Sequence, residues 1–321
     1  MFKIKKISFS NPEIVVIILA VALIVSWGVI IKSSLKLQGL AKLNSDSPQK
    51  AETSGKTDSQ VAKEYEQLSL QLFPEKGFEV PVKLEDSVPK LVEAGVIDIE
   101  KFKSLYEQRV GINEEDLAVL TKPSDKNLTI NFDNSNFILN ILWALGLANK
   151  NPILDLGPML GKDLPNFAST GGWTLGKEEN GAAYFSKLEI IKLTSEQQKI
   201  VEYVAKNTYR PCCGNPTAFP DCNHGAALLG LIELAASQGL SQKEIFDIAL
   251  KFNSYWFPQN YLETALYFKL NKNTDWGKVS PEEILGYNYS SIQGWMQNVK
   301  PEIDKIRSDL PKQSVGGSCG V

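Results

Sequence analysis

From Ile14 to Ile31 the chain reads IVVIILAVALIVSWGVII, 18 residues without a charge. Hydrocarbon offers no partner to backbone N–H and C=O groups, so a segment this apolar is driven to helix. At 1.5 Å per residue it spans about 27 Å, close to a hydrocarbon core of about 30 Å. Lys3, Lys5 and Lys6 precede it, Lys32 and Lys36 follow it, and Trp27 suits an interface. A cleaved signal peptide has an apolar region of about 7–15 residues and a small-x-small site. This run is longer and ends in VIIKSS, so an uncleaved anchor is expected, touching membrane lipid through residues 14–31. No cysteine just after it stands ready to carry a lipid. The lysines are nearly balanced on the two sides. We place the amino terminus inside, as a single-pass protein with an extracytoplasmic C-terminal domain.

The expected organisation is a short basic N-terminus at 1–12, a transmembrane anchor at 13–33 and a tether at 34–60. A globular domain at 61–311 and a Cys-containing tail at 312–321 follow. Between residues 44 and 60 the only hydrophobic side chain is Ala51, too little to bury. Over the whole chain 43% of residues are hydrophobic and 22% charged, which suffices for a core. The net charge of -3 implies no nucleic-acid partner.

The domain reads as mainly α. Helical spacing runs over 61–73, 87–95 with a Gly stop, and 98–106 opened by Asp98. The stretch 137–148, FILNILWALGLA, is apolar nearly all round and predicts a central core helix. Thr194 to Gln197, Ser241 to Glu244 and Ser280 to Glu283 read as capping boxes, the last with Pro281 at the first helical position. Residues 289–308 also look helical. Strand signals are confined to 78–82, 128–132 and 187–192, a possible minor β element.

Three of the four cysteines and the only histidine fall in RPCCGNPTAFPDCNH, residues 210–224. One histidine excludes a multi-histidine cage, and a Ser-His-Asp triad could be built only around His224. Pro211, Gly214, Pro216 and Pro220 mark a loop between a helix ending near Asn207 and one running from 224 to 238, closed by Gly239. Asp221 and Asn223 are capable caps. Cys222 and His224 then lie at a helix start, where the positive dipole end lowers a thiol pKa and disfavours imidazolium. Arg210 adds positive charge. The spacing C-C-x8-C-x-H matches neither zinc-finger pairs nor C-x-x-C-H nor C-x-x-C. Thiolates and an imidazole on one short segment suit a transition metal such as Zn, Cu or Fe. The expected ligands are Cys212, Cys213, Cys222 and His224, with Cys319 of the tail as accessory ligand or transfer thiol. Adjacent cysteines diverge, so Cys212 and Cys213 are awkward as paired ligands of one ion.

Tyr209 to Gly239, with YRPCC and FPDCNHG, and the ending GGSCGV resemble a set of prokaryotic membrane-anchored proteins to which no activity attaches. The resemblance runs from about Val80 to the end and implies no catalytic residue. The order of cysteine loop, helix and Gly239 to Ile245 is also similar to the haem-handling thiol proteins of cytochrome c maturation, but their C-x-x-C is missing here.

Three functions follow. The first is an anchored protein that binds or handles a soft metal or metalloid, beside a membrane transporter or redox partner. The second is a thiol–disulfide oxidoreductase in which Cys222 attacks, His224 moves the proton, and Cys213 or Cys319 resolves. The third is a scaffold stapled by disulfides, Cys222 pairing with Cys212 or Cys213 at about 2–3 kcal/mol. Elsewhere, the Gly-rich segment 166–176 lacks a phosphate-loop pattern and reads as a turn that lets Trp173 pack inward. The aromatics Tyr255, Trp256, Phe257 and Tyr261 read as core, with a substrate platform the alternative. Glu178 and Glu179 read as a solvated loop.

Overall fold

The computed structural model describes residues 58–107 and 112–310. The apolar run at 14–31, the tether up to residue 57 and the tail with Cys319 lie outside the described residues. Among the described residues no helix is long and apolar enough to cross a membrane.

Helix α1 (Asp58–Leu72) leads into strand β1 (Phe78–Glu85), helices α2 (Ser87–Glu93), α3 (Ile99–Tyr106) and α4 (Glu114–Ala118), and strand β2 (Ser124–Ile130). The two strands pair antiparallel, with Phe78 opposite Ile130 and Val80 opposite Leu128. Val80, Val82 and Leu84 face inward at the period of two that a half-buried strand requires. Among the described residues the sheet has two strands. Helices on one face must bury it, because an isolated pair of strands is marginal in water.

Helix α5 (Ser135–Ala148) is followed by the short α6 (Pro152–Asp155), a long irregular stretch, α7 (Ser195–Asn207), α8 (Asn223–Ser237), α9 (Gln242–Trp256) and α10 (Pro258–Asn271). Four short helices close the described chain: α11 (Pro281–Leu285), α12 (Tyr287–Ser290), α13 (Ile292–Asn298) and α14 (Lys300–Lys305). The centre is the pair α5 and α8. Every residue from Phe137 to Ala148 and from Asn223 to Ala236 is buried, so neither helix has a polar stripe to show water. They meet through glycine. A Cβ on Gly146 would lie 1.9 Å from the Ala226 carbonyl oxygen, and one on Gly230 would lie 2.5 Å from that of Leu142. Helices α7 and α9 cover α8 on other sides.

The capping boxes at Thr194 and Ser241 form as expected. At Ser280 the box does not form. Ser280 caps α11 without a side-chain hydrogen bond, and Pro281 does take the first position. The segment 187–192 is not a strand. Its one bridge joins Leu188 to Asn149, and the Asn149 side chain accepts the next amides, those of Ile190 and Ile191, in place of a partner strand. The expected helix at 289–308 is broken into pieces. Ser291 caps α13, and Pro301, which has no N–H to continue a ladder, sits at the start of α14.

Candidate metal centre

The loop between α7 and α8 is held at both ends and in the middle. The amide of Thr217 donates to the carbonyl of Thr208 at 2.8 Å, and that of Ala218 to Ala205 at 2.9 Å, so the loop folds back on the end of α7. The amide of Ser169 donates to the Asp221 carbonyl at 3.0 Å, and that of Ile292 to the Cys213 carbonyl at 3.0 Å. Trp173 is fully buried, as the Gly-rich turn led us to expect. Tyr255, Trp256 and Tyr261 are buried, as expected of a core cluster.

Arg210 is the internal strut. Its side chain is fully buried. Nε donates to Cys222 Sγ at 3.1 Å, Nη1 to the Asn215 carbonyl at 2.9 Å, and Nη2 to the Phe219 carbonyl at 3.0 Å and to Asp221 Oδ1 at 2.5 Å. Asp221 Oδ2 accepts from Asn215 Nδ2 at 2.8 Å. Burial works against the Arg210 charge, yet the sulfurs of Cys222, Cys213 and Cys212 outweigh it and raise its pKa. Asp221 is therefore an ion-pair partner and not the helix cap. The cap is Cys222 itself, whose Sγ accepts from the Gly225 amide at 3.4 Å. A Cβ at position 225 would lie 2.6 Å from the Arg210 guanidinium, so any other residue there would shift the strut.

The structure brings Cys212, Cys213, Cys222 and His224 together. Cys212 Sγ and Cys222 Sγ are 3.6 Å apart, a hydrogen-bonding separation and not a bond. One atom each of Cys212, Cys222 and His224 lies within 4.8 Å of the others, and the same holds for Cys213, Asp221 and Cys222. Cys222 is thus common to two donor sets, one with Cys212 and the other with Cys213. Asp221 as a donor escaped the sequence reading, since nothing in its spacing separates a ligand from a cap.

Electrostatics single out Cys222. Hydrogen bonds from Cys212 and Cys213 hold its pKa well below the ordinary thiol value, against burial, with Arg210 and His224 adding to the effect. For Cys213 the hydrogen bond with Cys212 pulls down. The bond to Cys222, burial and repulsion by the Cys222 charge prevail and raise it. Cys213 Sγ lies 3.9 Å from the Asn215 carbonyl, an acceptor for its proton. His224 is buried, its ring 4.4 Å from that of Phe257 and 5.9 Å from that of Trp256.

A tetrahedral zinc ion with Zn–S bonds of about 2.3 Å sets its sulfurs about 3.8 Å apart. The observed 3.6 Å is close to that edge, and the mixed sulfur and nitrogen donors suit a borderline cation. In comparisons with known proteins, no family model, no curated protein and no solved structure matches the chain.

Proposed function

We propose that this chain is a membrane-tethered, extracytoplasmic protein that binds a thiophilic metal ion and handles it for a membrane partner. Its resident ligands are Cys212, Cys222 and His224. The observation that carries this reading is the convergence of two sulfurs and an imidazole within 4.8 Å on a loop tied down by a buried arginine. Charge favours a divalent ion. Arg210 and Asp221 neutralise each other, two thiolates carry two negative charges and the imidazole none. A divalent cation leaves the buried site neutral, and burying net charge is costly. The apolar run at 14–31 supports the tether, and Cys319 remains an accessory ligand in this reading.

The test is elemental mass spectrometry on the full chain, extracted in detergent without oxygen or chelator. The expected result is about one equivalent of a transition metal, lost in Cys222→Ser and in His224→Ala. A metal-free wild-type protein overturns the reading.

A second reading, thiol–disulfide exchange, is favoured by the position of Cys222 as helix cap beside Arg210. The Cys222 thiolate would attack a substrate disulfide, forming a mixed disulfide and expelling the other sulfur as a thiolate that takes up a proton. Cys213 and Cys319 were the expected resolving thiols. The 3.6 Å separation makes Cys212 a further candidate for that role, and Cys212→Ser should then trap the mixed disulfide on a non-reducing gel.

A further inference from the structure

Two of the donors are also the two halves of a disulfide. Cys212 Sγ and Cys222 Sγ stand 3.6 Å apart. A zinc ion held between them needs about 3.8 Å, and a disulfide needs about 2.0 Å. The first spacing is nearly met, and the second is reached by an approach of about 1.6 Å. The same two sulfurs cannot serve both. A metal is held by thiolates, so a disulfide here takes two of the three donors in the set of Cys212, Cys222 and His224 out of use.

The backbone that presents these thiols is held by bonds that pass through no sulfur. The Thr217 and Ala218 amides fold the loop onto the end of α7, the Ser169 amide donates to the Asp221 carbonyl, and the Ile292 amide to that of Cys213. Arg210 ties the Asn215 and Phe219 carbonyls and the Asp221 carboxylate from within. The two cysteines are therefore set close together with neither a metal nor a disulfide to hold them. The separation assigns Cys212 as the partner of Cys222. Cys213 shares the second set with Cys222 and Asp221, so its pairing with Cys222 is the outcome that the experiment must tell apart.

We propose that oxidation controls the site: a disulfide oxidant joins Cys212 to Cys222 and expels the bound ion, and reduction restores the site. This rests on the metal-binding reading above, in whose extracytoplasmic setting disulfides form and persist. One of the two sulfurs attacks the oxidant's disulfide, forming a mixed disulfide and expelling one thiolate. The other sulfur then attacks the first and expels the second thiolate. Two electrons pass from the two cysteines to the oxidant. The metal keeps its oxidation state and leaves as the divalent ion, and His224 is left as a neutral imidazole. The two expelled thiolates bind the ion or take protons from water.

The experiment follows zinc and the new bond together. The full chain in detergent is reduced, loaded anaerobically with one equivalent of Zn²⁺ and treated with oxidised glutathione beside a zinc-sensing dye. Proteolytic cleavage before Asp221 separates Cys222 from Cys212 and Cys213, so a linked pair of peptides reports the bond by mass. We expect zinc to appear in step with a link between Cys212 and Cys222. The affinity for zinc should fall at least about a hundredfold, and a phosphine reductant should restore it. The link should form in Cys213→Ser and be absent in Cys212→Ser, or in Cys212→Ala should serine disturb the loop as read by circular dichroism. Zinc that stays bound after the link has formed, Cys222 linked to Cys213 or Cys319 in place of Cys212, or no link at all overturns the proposal. A reduced wild-type chain that takes up no zinc is a different result. It removes the metal-binding reading itself, and this control with it, whether or not the two sulfurs join.

Discussion

The guanidinium of Arg210 makes four hydrogen bonds in one plane, to a sulfur, two carbonyls and a carboxylate. Only a planar fork can meet acceptors spread in this way, and a lysine ammonium is a point charge on a flexible stem. Arg210→Lys keeps the charge and loses the fork. It leaves at least two part-buried acceptors around a fully buried side chain without a donor, and each buried group left unsatisfied costs about 1–3 kcal/mol. We therefore expect a loss of about 3 kcal/mol in urea denaturation, together with a higher pKa for alkylation of Cys222 by iodoacetamide. A loss below about 1 kcal/mol with unchanged alkylation would show that the loop holds its shape without the fork. At this scale the sequence was legible in chemistry and mute in geometry. The composition of residues 210–224 picked out all four of the clustered thiol and imidazole groups. Nothing in the order of residues reveals that Asp221 turns back to Arg210 while Cys222 takes over the cap. That choice is made by burial of the arginine, which demands a counter-charge at close range.

Between elements, the contact of α5 with α8 sets the centre of the molecule. In each helix glycine occupies the point where backbones touch. Helix propensity alone predicts that Gly146→Ala gains about 1 kcal/mol, since glycine is the poorer helix former. Packing predicts the reverse sign. A Cβ at 1.9 Å from the Ala226 carbonyl oxygen meets backbone, which cannot swing aside, and overpacking typically costs about 1–3 kcal/mol. We expect Gly146→Ala to lower stability by about 3 kcal/mol and Gly230→Ala to act in the same direction. A thermal midpoint at or above that of wild type for Gly146→Ala would show that the helices separate freely. Both helices were readable in advance because their apolar residues are continuous or capped. Gly239, closing α8 with φ at 84°, was equally readable, since a left-handed residue favours glycine. The strand expected at 187–192 was misread because alternation reports a half-buried segment and not its partner. Here the partner is a side chain, Asn149, whose oxygen accepts the two amides that a neighbouring strand would have accepted.

That asparagine belongs to a polar layer that ties the whole domain to pH. Glu233 lies on α8 among apolar residues and is fully buried. Its Oε2 accepts from Asn149 Nδ2 at 3.1 Å, while Oε1 has no hydrogen-bond partner among the described residues. Asn149 in turn holds the segment at 190–191, and Asn151 exchanges two hydrogen bonds with Gln198 of α7. Burial pushes the Glu233 pKa well above the ordinary 4.5, although hydrogen bonds from Asn149 and Asn151 oppose the rise. The folded state thus holds a proton on this carboxyl more tightly than the unfolded state does. The contribution to stability is complete below the unfolded value of about 4.5 and is lost as pH rises through the folded value. Glu233→Gln is uncharged at every pH and keeps an oxygen for Asn149. Comparing urea midpoints of the two proteins from pH about 5 to 8 isolates the carboxyl from every other titrating group. The difference should widen with pH, the glutamine variant gaining on wild type towards the alkaline end. Parallel curves would mean that Glu233 is ionised in the folded protein with a counter-charge or water at Oε1, and would remove this layer as the source of pH dependence.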